Sequence, residues 1–211
     1  MSSPLLLVDT DLFVLLAGAG LLNDLAECLG IPTESIRRLP SLQSQIKSKR
    51  FIDKIPVDEL ARLQAAISHV TPWTDSPADT TLLERLQTVP DIDPGEALLF
   101  ATLYEQPVYL LASGDKRSMV ALGNAPELDD VRQSVRGRIL SLETALTLLI
   151  RRLGANVIGP RLRPFRERHQ TVSILFGYKT EFDDQESLDQ IRSYLNDLIK
   201  HIGSDLLYPL D

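Results

Sequence analysis

A short apolar run that ends in a carboxylate constrains the fold of this chain more than any other feature. Residues Leu5 to Val8 are continuously apolar, and Asp9 follows them directly. An uninterrupted apolar run of this length is typical of a strand that is buried on both faces of a parallel sheet. The sequence therefore predicts an α/β fold in which Asp9 lies at the carboxyl end of a strand.

Further elements follow from apolar spacing and from Gly and Pro breakers. Two more strands are predicted over 108–112 and 138–140, and the first of these leads into the turn Ser113-Gly114-Asp115. The predicted helices cover 12–29, 34–50, 56–70, 80–86 and 142–153. Residues 154–211 are predicted to form an α+β extension that packs on the domain or forms an interface. It contains the strand-like TVSILFGY and a helix whose apolar face carries Leu188, Ile191, Leu195, Leu198 and Ile202.

Composition narrows the class of protein. The 211 residues are enough for one domain with an extension, and the single cysteine cannot form an internal disulfide. No apolar run reaches the roughly 20 residues that a membrane span needs, so we expect a cytoplasmic protein without a membrane partner. The net charge of −7 argues against nucleic-acid binding over the whole surface, although a local basic segment remains compatible with it.

Three acidic residues that are distant in sequence are expected to meet at one edge of the sheet. Strand carboxyl ends and helix N-termini lie at the same edge in a strand-helix-strand unit. Asp9 ends the first strand and Asp115 follows the second. Glu96 lies in the first turn of the helix that begins after Asp93. If the two strands are neighbours, all three carboxylates point toward the same edge.

A divalent cation would make such a cluster stable. Carboxylates within about 5 Å repel each other by roughly 3 kcal/mol per pair at an effective dielectric near 20, unless one is protonated or a cation binds. Oxygen ligands favour Mg²⁺ or Mn²⁺ over zinc, and His69, His169 and His201 lack ligand-like spacing. A cation held in this way can promote in-line attack on a phosphodiester, so the chemistry favours cleavage of a nucleic-acid backbone.

Each acid also has a purely structural interpretation. Asp93 and Glu96 fit a capping box, and Asp115 fits a helix N-cap. We expect Asp11 to cap the first helix, with a contact to the site through water. Asp9 is harder to explain structurally, because a carboxylate at the end of a buried strand needs partners at the sheet edge.

Three segments of the chain resemble the PIN-domain ribonucleases over roughly residues 5–150. LLLVDTDLFVLL is similar to the opening strand and acid of that family. DPGEALLFATLYEQPVYLLASGDKRSMVAL is similar to its acid-bearing helix, strand and second acid turn, and RGRILSLETALTLL to its closing strand and helix. The resemblance implies a Rossmann-like three-layer α/β/α fold with a central parallel sheet over 1–153. It also implies Mg²⁺- or Mn²⁺-dependent cleavage of single-stranded RNA, often by a toxin with a protein antitoxin.

The same resemblance assigns roles to individual residues. Asp9, Glu96 and Asp115 would hold the metal, with Ser113 as the small hydroxyl residue beside the last acid. Apart from the resemblance, Asp11 and Asp93 are secondary candidates because they lie close to these acids in the sequence. In one departure from the family, GIPTESIRRL places Arg38 where a further acid is expected, which weakens the case for an active site. A basic segment is predicted to bind phosphates through Arg151, Arg152, Arg161, Arg163, Arg166 and Arg168.

Two other interpretations remain open. The chain is alternatively a catalytically weak PIN-like module that binds RNA or a protein, including an antitoxin or a second copy of itself. A phosphatase of the haloacid dehalogenase type, with Asp9 as nucleophile and Asp11 as general acid, ranks lower. Leu12 and Phe13 follow Asp11 where that family has small residues.

Overall fold

The sheet at the centre of the protein has only parallel neighbours. The computed structural model describes residues 4–53, 55–74, 77 and 79–210. The strands are β1 (Leu5–Val8), β2 (Ile36–Arg38), β3 (Tyr109–Ser113) and β4 (Ile139–Ser141). Their order is β2-β1-β3-β4, and every pair is parallel. The first strand is therefore central, and Asp9 and Asp115 follow neighbouring strands.

Helices cover both faces of this sheet. One face is covered by α1 (Thr10–Gly18), α2 (Leu22–Cys28), α3 (Leu42–Gln45), α4 (Lys49–Ile52), α5 (Val57–His69), α10 (Leu142–Leu153), α11 (Ala155–Leu162) and α12 (Gln170–Phe176). The other face is covered by α6 (Thr80–Gln87), α7 (Pro94–Glu105), α8 (Lys116–Asn124), α9 (Asp129–Ser134) and most of α13 (Asp184–Ile202). Short 3-10 turns at Thr33–Ser35, Pro126–Leu128 and Arg163–Phe165 complete the described elements.

The two cores explain why the first strand is uninterruptedly apolar. Leu6 and Val8 belong to the core on one face and Leu7 to the core on the other, and all three are fully buried. Successive strand residues point to opposite faces, so a strand covered on both faces has no polar side. The expected α/β class with a parallel sheet is confirmed, and the layers are compatible with α/β/α. None of the described helices is long and apolar enough to span a membrane.

The prediction of a strand in the C-terminal extension is wrong. TVSILFGY forms most of α12, whose buried residues are Thr171, Val172, Leu175 and Phe176. This spacing puts them on one side of a helix, and burial on that side outweighs the strand preference of its β-branched residues. The expected apolar face of α13 is confirmed, because Ile191, Leu195, Leu198 and Ile202 are buried.

Two predicted helices have different boundaries. The helix expected over 12–29 is two helices, since Gly20 adopts a left-handed backbone with φ of 69° between α1 and α2. The helix expected over 34–50 is wrong: Ile36 to Arg38 form β2 beside β1, and the only α-helices in the range are the short α3 and the start of α4. Two consecutive arginines concealed this strand, but the Arg38 side chain is buried and satisfied by oxygen acceptors.

Candidate functional site

Asp9 joins the ends of the two central strands. It is the N-cap of α1, and its Oδ1 accepts a hydrogen bond from the Leu12 amide at 2.7 Å. Its Oδ2 accepts from the Ser113 hydroxyl and, at 2.8 Å, from the Gly114 amide. Burial raises the pKa of Asp9 to about 6 despite these three hydrogen bonds, and the charge of Asp11 adds to the rise. Asp9 therefore carries a charge that its surroundings only partly offset.

Asp115 occupies the equivalent position one strand away. It caps α8, with Oδ1 accepting from the amides of Arg117 at 2.8 Å and Ser118 at 3.2 Å. Its own amide donates to the Ser113 hydroxyl at 3.2 Å, while that hydroxyl donates to Asp9. Ser113 thus connects the two acids, and the N-cap interpretation of Asp115 is confirmed.

Glu96 and Asp93 form the capping box that the sequence predicts. Asp93 Oδ1 accepts from the Gly95 and Glu96 amides, and the Asp93 amide donates to Glu96 Oε2 at 3.1 Å. Burial, a hydrogen bond to the Asp93 carboxylate and the charges of Asp93 and Asp115 raise the pKa of Glu96 to about 8. The hydrogen bond from Glu96 lowers the pKa of Asp93. At neutral pH, Glu96 is therefore the protonated member of the pair and Asp93 the ionised one.

A single open cavity of about 820 Å³, here called the acid cavity, is lined by all of these acids. Asp9, Asp11, Asp93, Glu96 and Asp115 contribute to its wall, as the convergence of strand ends predicts. Within the described part of the chain, however, no three His, Cys, Asp or Glu side chains are grouped closely enough to hold a metal ion. Carboxylate oxygens are suitable ligands for a hard divalent cation, but most of these carboxylates accept hydrogen bonds from backbone amides instead of converging on one point.

Asp11 does not cap the first helix as expected, because Asp9 takes that position. Asp11 lies in the first turn of α1 and forms an ion pair with Arg168 at 3.1 Å. Arg168 also stacks over the Phe51 ring, and both members of the ion pair line the acid cavity. The pair links the N-terminus of α1 to the chain that precedes α12.

Arg38 ends β2 but its side chain is directed away from the acids. The buried guanidinium donates to the Ile67 carbonyl at 3.1 Å and to Gln43 Oε1 at 3.2 Å, and it does not line the acid cavity. Burial lowers its pKa. The concern that Arg38 occupies the acid site therefore has no support in the position of its side chain.

Most arginines of the predicted basic segment have partners within the fold. Arg151 donates to the Leu210 carbonyl, and Arg152 pairs with Glu27. Arg161 lies 4.0 Å from Asp24. Arg163 donates to the carbonyls of Phe176 and Lys179, and Arg166 is half-buried. Of these six described arginines, only Arg168 lines the acid cavity.

Sequence reasoning missed Lys116 and Glu143. Glu143 is fully buried in the first turn of α10, where its Oε1 accepts from Lys116 Nζ at 2.8 Å and from Thr171 Oγ1 at 3.0 Å. Its Oε2 has no hydrogen-bond partner among the described residues. Lys116, Arg117 and His169 line the acid cavity. The available signal was that Glu143 lies two residues after the N-cap Ser141, just as Asp11 lies two residues after the N-cap Asp9.

Comparison with protein-family models, with curated proteins and with solved structures found no match to this chain.

Proposed function

We propose that the acid cavity binds Mg²⁺ or Mn²⁺ and that the chain is a PIN-type ribonuclease that cleaves single-stranded RNA. One observation carries this proposal. Carboxylates from three distant parts of the chain line one cavity at the carboxyl edge of the sheet, and the pKa values of Asp9 and Glu96 are raised there. Raised pKa values mark acids whose negative charge is costly, and a bound cation would offset that cost.

Asp9, Glu96 and Asp115 would hold the cation, which would orient water and stabilise charge on the phosphodiester. Asp9 is fixed by Ser113 and Gly114, so its position depends on the ends of both central strands. Glu96 has to lose its proton and turn away from Asp93 before it can act as a ligand. Lys116, Arg117 and Arg168 line the same cavity and offer positive charge to RNA phosphates.

The experiment compares Glu96→Gln with Glu186→Gln. Glu186 makes a suitable control because it also lies three residues after an aspartate N-cap, Asp183, at the start of α13. We expect wild type and Glu186→Gln to degrade unstructured RNA only with Mg²⁺ or Mn²⁺, and Glu96→Gln to lose this activity. Equal cleavage by all three proteins would point to a contaminant and would refute the proposal.

Calorimetry gives a second readout that does not depend on cleavage. Because Glu96 must release its proton to bind a cation, we expect Mn²⁺ affinity to increase as pH rises through about 8, with proton release on binding. The Glu96→Gln protein should bind Mn²⁺ more weakly and without that pH dependence. A pH-independent affinity in wild type would exclude Glu96 from the ligand set.

A second candidate function is a PIN-like module that binds RNA or protein without cutting. It is favoured by the hydrogen bonds that Asp9, Glu96 and Asp115 accept from backbone amides. These bonds give each acid a structural role that needs no cation. Purified protein that binds RNA but degrades none with Mn²⁺ would support this candidate. A toxin role and an antitoxin partner remain predictions of the resemblance alone.

A further inference from the structure

A second cavity adjoins the acid cavity along α8. It has a volume of about 420 Å³, and Lys116 and Arg117 line both cavities. The two spaces are therefore separated by the two basic side chains that follow Asp115 in the chain. A strand of nucleic acid that leaves the acid cavity over these cations would enter the second cavity next.

Lys116 and Arg117, which line both cavities, differ in how firmly their side chains are held. The Lys116 ammonium is held by the buried Glu143 carboxylate and lies 5.6 Å from the centre of the Tyr194 ring. The Arg117 side chain is 82% exposed and approaches Asp115 only to 4.0 Å. Lys116 is therefore held in place with its charge balanced by Glu143, and Arg117 is the cation that is free to follow a phosphate.

The chemistry of the second cavity suits a flat heteroaromatic ring. Val120, Ala121 and Pro90 supply an apolar surface, and the exposed polar residues Asp91, Asn124 and His201 line the cavity as well. Bases of single-stranded nucleic acid bind by laying their faces on apolar or aromatic surfaces, with hydrogen bonds to their edges. An amide and an imidazole offer both donors and acceptors to such edges.

We propose that the second cavity is a nucleotide subsite, in which Lys116 and Arg117 contact the phosphate next to the scissile one and the cavity takes the attached base. This inference rests on the proposed function, because it assumes that the strand passes through the acid cavity. It adds a position at which the protein contacts a base as well as the backbone. The remaining arginines of the 151–168 segment are not required for it.

The test separates base contacts from phosphate contacts. A fluorescent RNA hexamer is compared with a strand of equal length and charge that carries a base-free ribose, with its 2′-hydroxyl retained, in place of every nucleoside. Binding is measured by anisotropy in the presence of a chelator, so the result does not depend on cation binding or cleavage. We expect wild type to prefer the base-bearing strand by roughly tenfold, at the low end of typical base-stacking contributions.

Two variants and their matched controls locate the preference. Ala121→Leu reduces the space of the second cavity, and Ala65→Leu adds the same bulk to an exposed site on α5. His201→Ala removes the imidazole that lines the cavity, and His69→Ala removes another exposed histidine in a last helical turn. We expect Ala121→Leu and His201→Ala to reduce the preference for bases, while both controls retain it.

Several results would overturn the inference. These are equal binding of the two strands by wild type, no binding of either strand, or an unchanged preference in both cavity variants. Cleavage without a base preference at this cavity would refute the subsite and leave the ribonuclease proposal standing. A base preference that depends on Ala121 and His201, in a protein that cuts no RNA, would support the subsite and refute the ribonuclease.

Discussion

Folding stability should fall between pH 4 and pH 7 because of Asp9. Burial raises the pKa of this carboxyl from 3.8 to about 6, so the folded protein binds the proton more tightly than the unfolded chain. A group with a raised folded-state pKa stabilises the fold fully below its unfolded value. That contribution is lost as pH rises toward and through the folded value. The relevant window is therefore about pH 4 to pH 7.

The magnitude follows from the size of the rise and from the burial of the side chain, which is 8% exposed. Each pKa unit corresponds to about 1.4 kcal/mol, so Asp9 should contribute a loss of about 3 kcal/mol in all, and about 2 kcal/mol of it falls between pH 4 and pH 7. Asp9→Asn lacks the ionisation. The difference in unfolding free energy between wild type and Asp9→Asn isolates the effect, because other titrating groups are common to both proteins.

The assay is urea unfolding followed by the fluorescence of Trp73, the only tryptophan, which is 3% exposed in the fold. Between pH 4 and pH 7, wild type should lose about 2 kcal/mol of unfolding free energy relative to Asp9→Asn, and a constant stability difference between the two proteins does not affect this comparison. A difference that is flat with pH, or that grows in favour of wild type, would refute the reasoning. If Asp9 is a ligand, saturating Mn²⁺ should reduce the loss, because a cation favours the ionised form.

Three further predictions concern neighbouring groups. Glu143→Ala should destabilise the fold by about 3 kcal/mol in the same assay, because it leaves Lys116 and Thr171 without their buried acceptor. In calorimetry, Arg38→Met should bind Mn²⁺ with an affinity within about twofold of wild type. A tenfold gain would show that the guanidinium weakens cation binding. Asp93→Ala should cost about 1 kcal/mol as a lost cap and lower the pKa of Glu96 in carboxyl NMR. Asp183→Ala, a lost cap elsewhere, should leave that pKa unchanged.

The sequence predicted the central strands because their pattern has one interpretation. A run such as Leu5 to Val8 has no polar side, so a position between two helix layers is the economical solution. The strand at Ile36 to Arg38 could not be found in this way. Its two arginines look like a solvated surface, and only tertiary contacts at Ile67 and Gln43 show how the buried one is accommodated.

The sequence also predicted which acids line the acid cavity, but not how their side chains are oriented. Parallel strand topology alone brings Asp9, Glu96 and Asp115 to one edge, and the structure places all three around one cavity. Their hydrogen bonds could not be predicted, because a cap and a metal ligand call for the same residue types. Glu143 was missed for a related reason. Its side chain turns inward to Lys116 and Thr171, and nothing local in the sequence fixes that direction.

A comparison within the chain distinguishes Asp9 from a plain cap. Ser141 ends β4 and caps α10 by accepting from the Thr144 amide, the same task that Asp9 performs for Leu12 at the end of β1. A neutral hydroxyl therefore suffices for a cap at this edge of the sheet. An ionised cap that served only its helix would gain from the helix N-terminus and show a lowered pKa. The pKa of Asp9 is raised instead, so its carboxylate costs stability that a serine would not. The proposed cation would offset that cost, so saturating Mn²⁺ should flatten the pH profile of wild type, and an unchanged profile would remove Asp9 from the proposed ligand set.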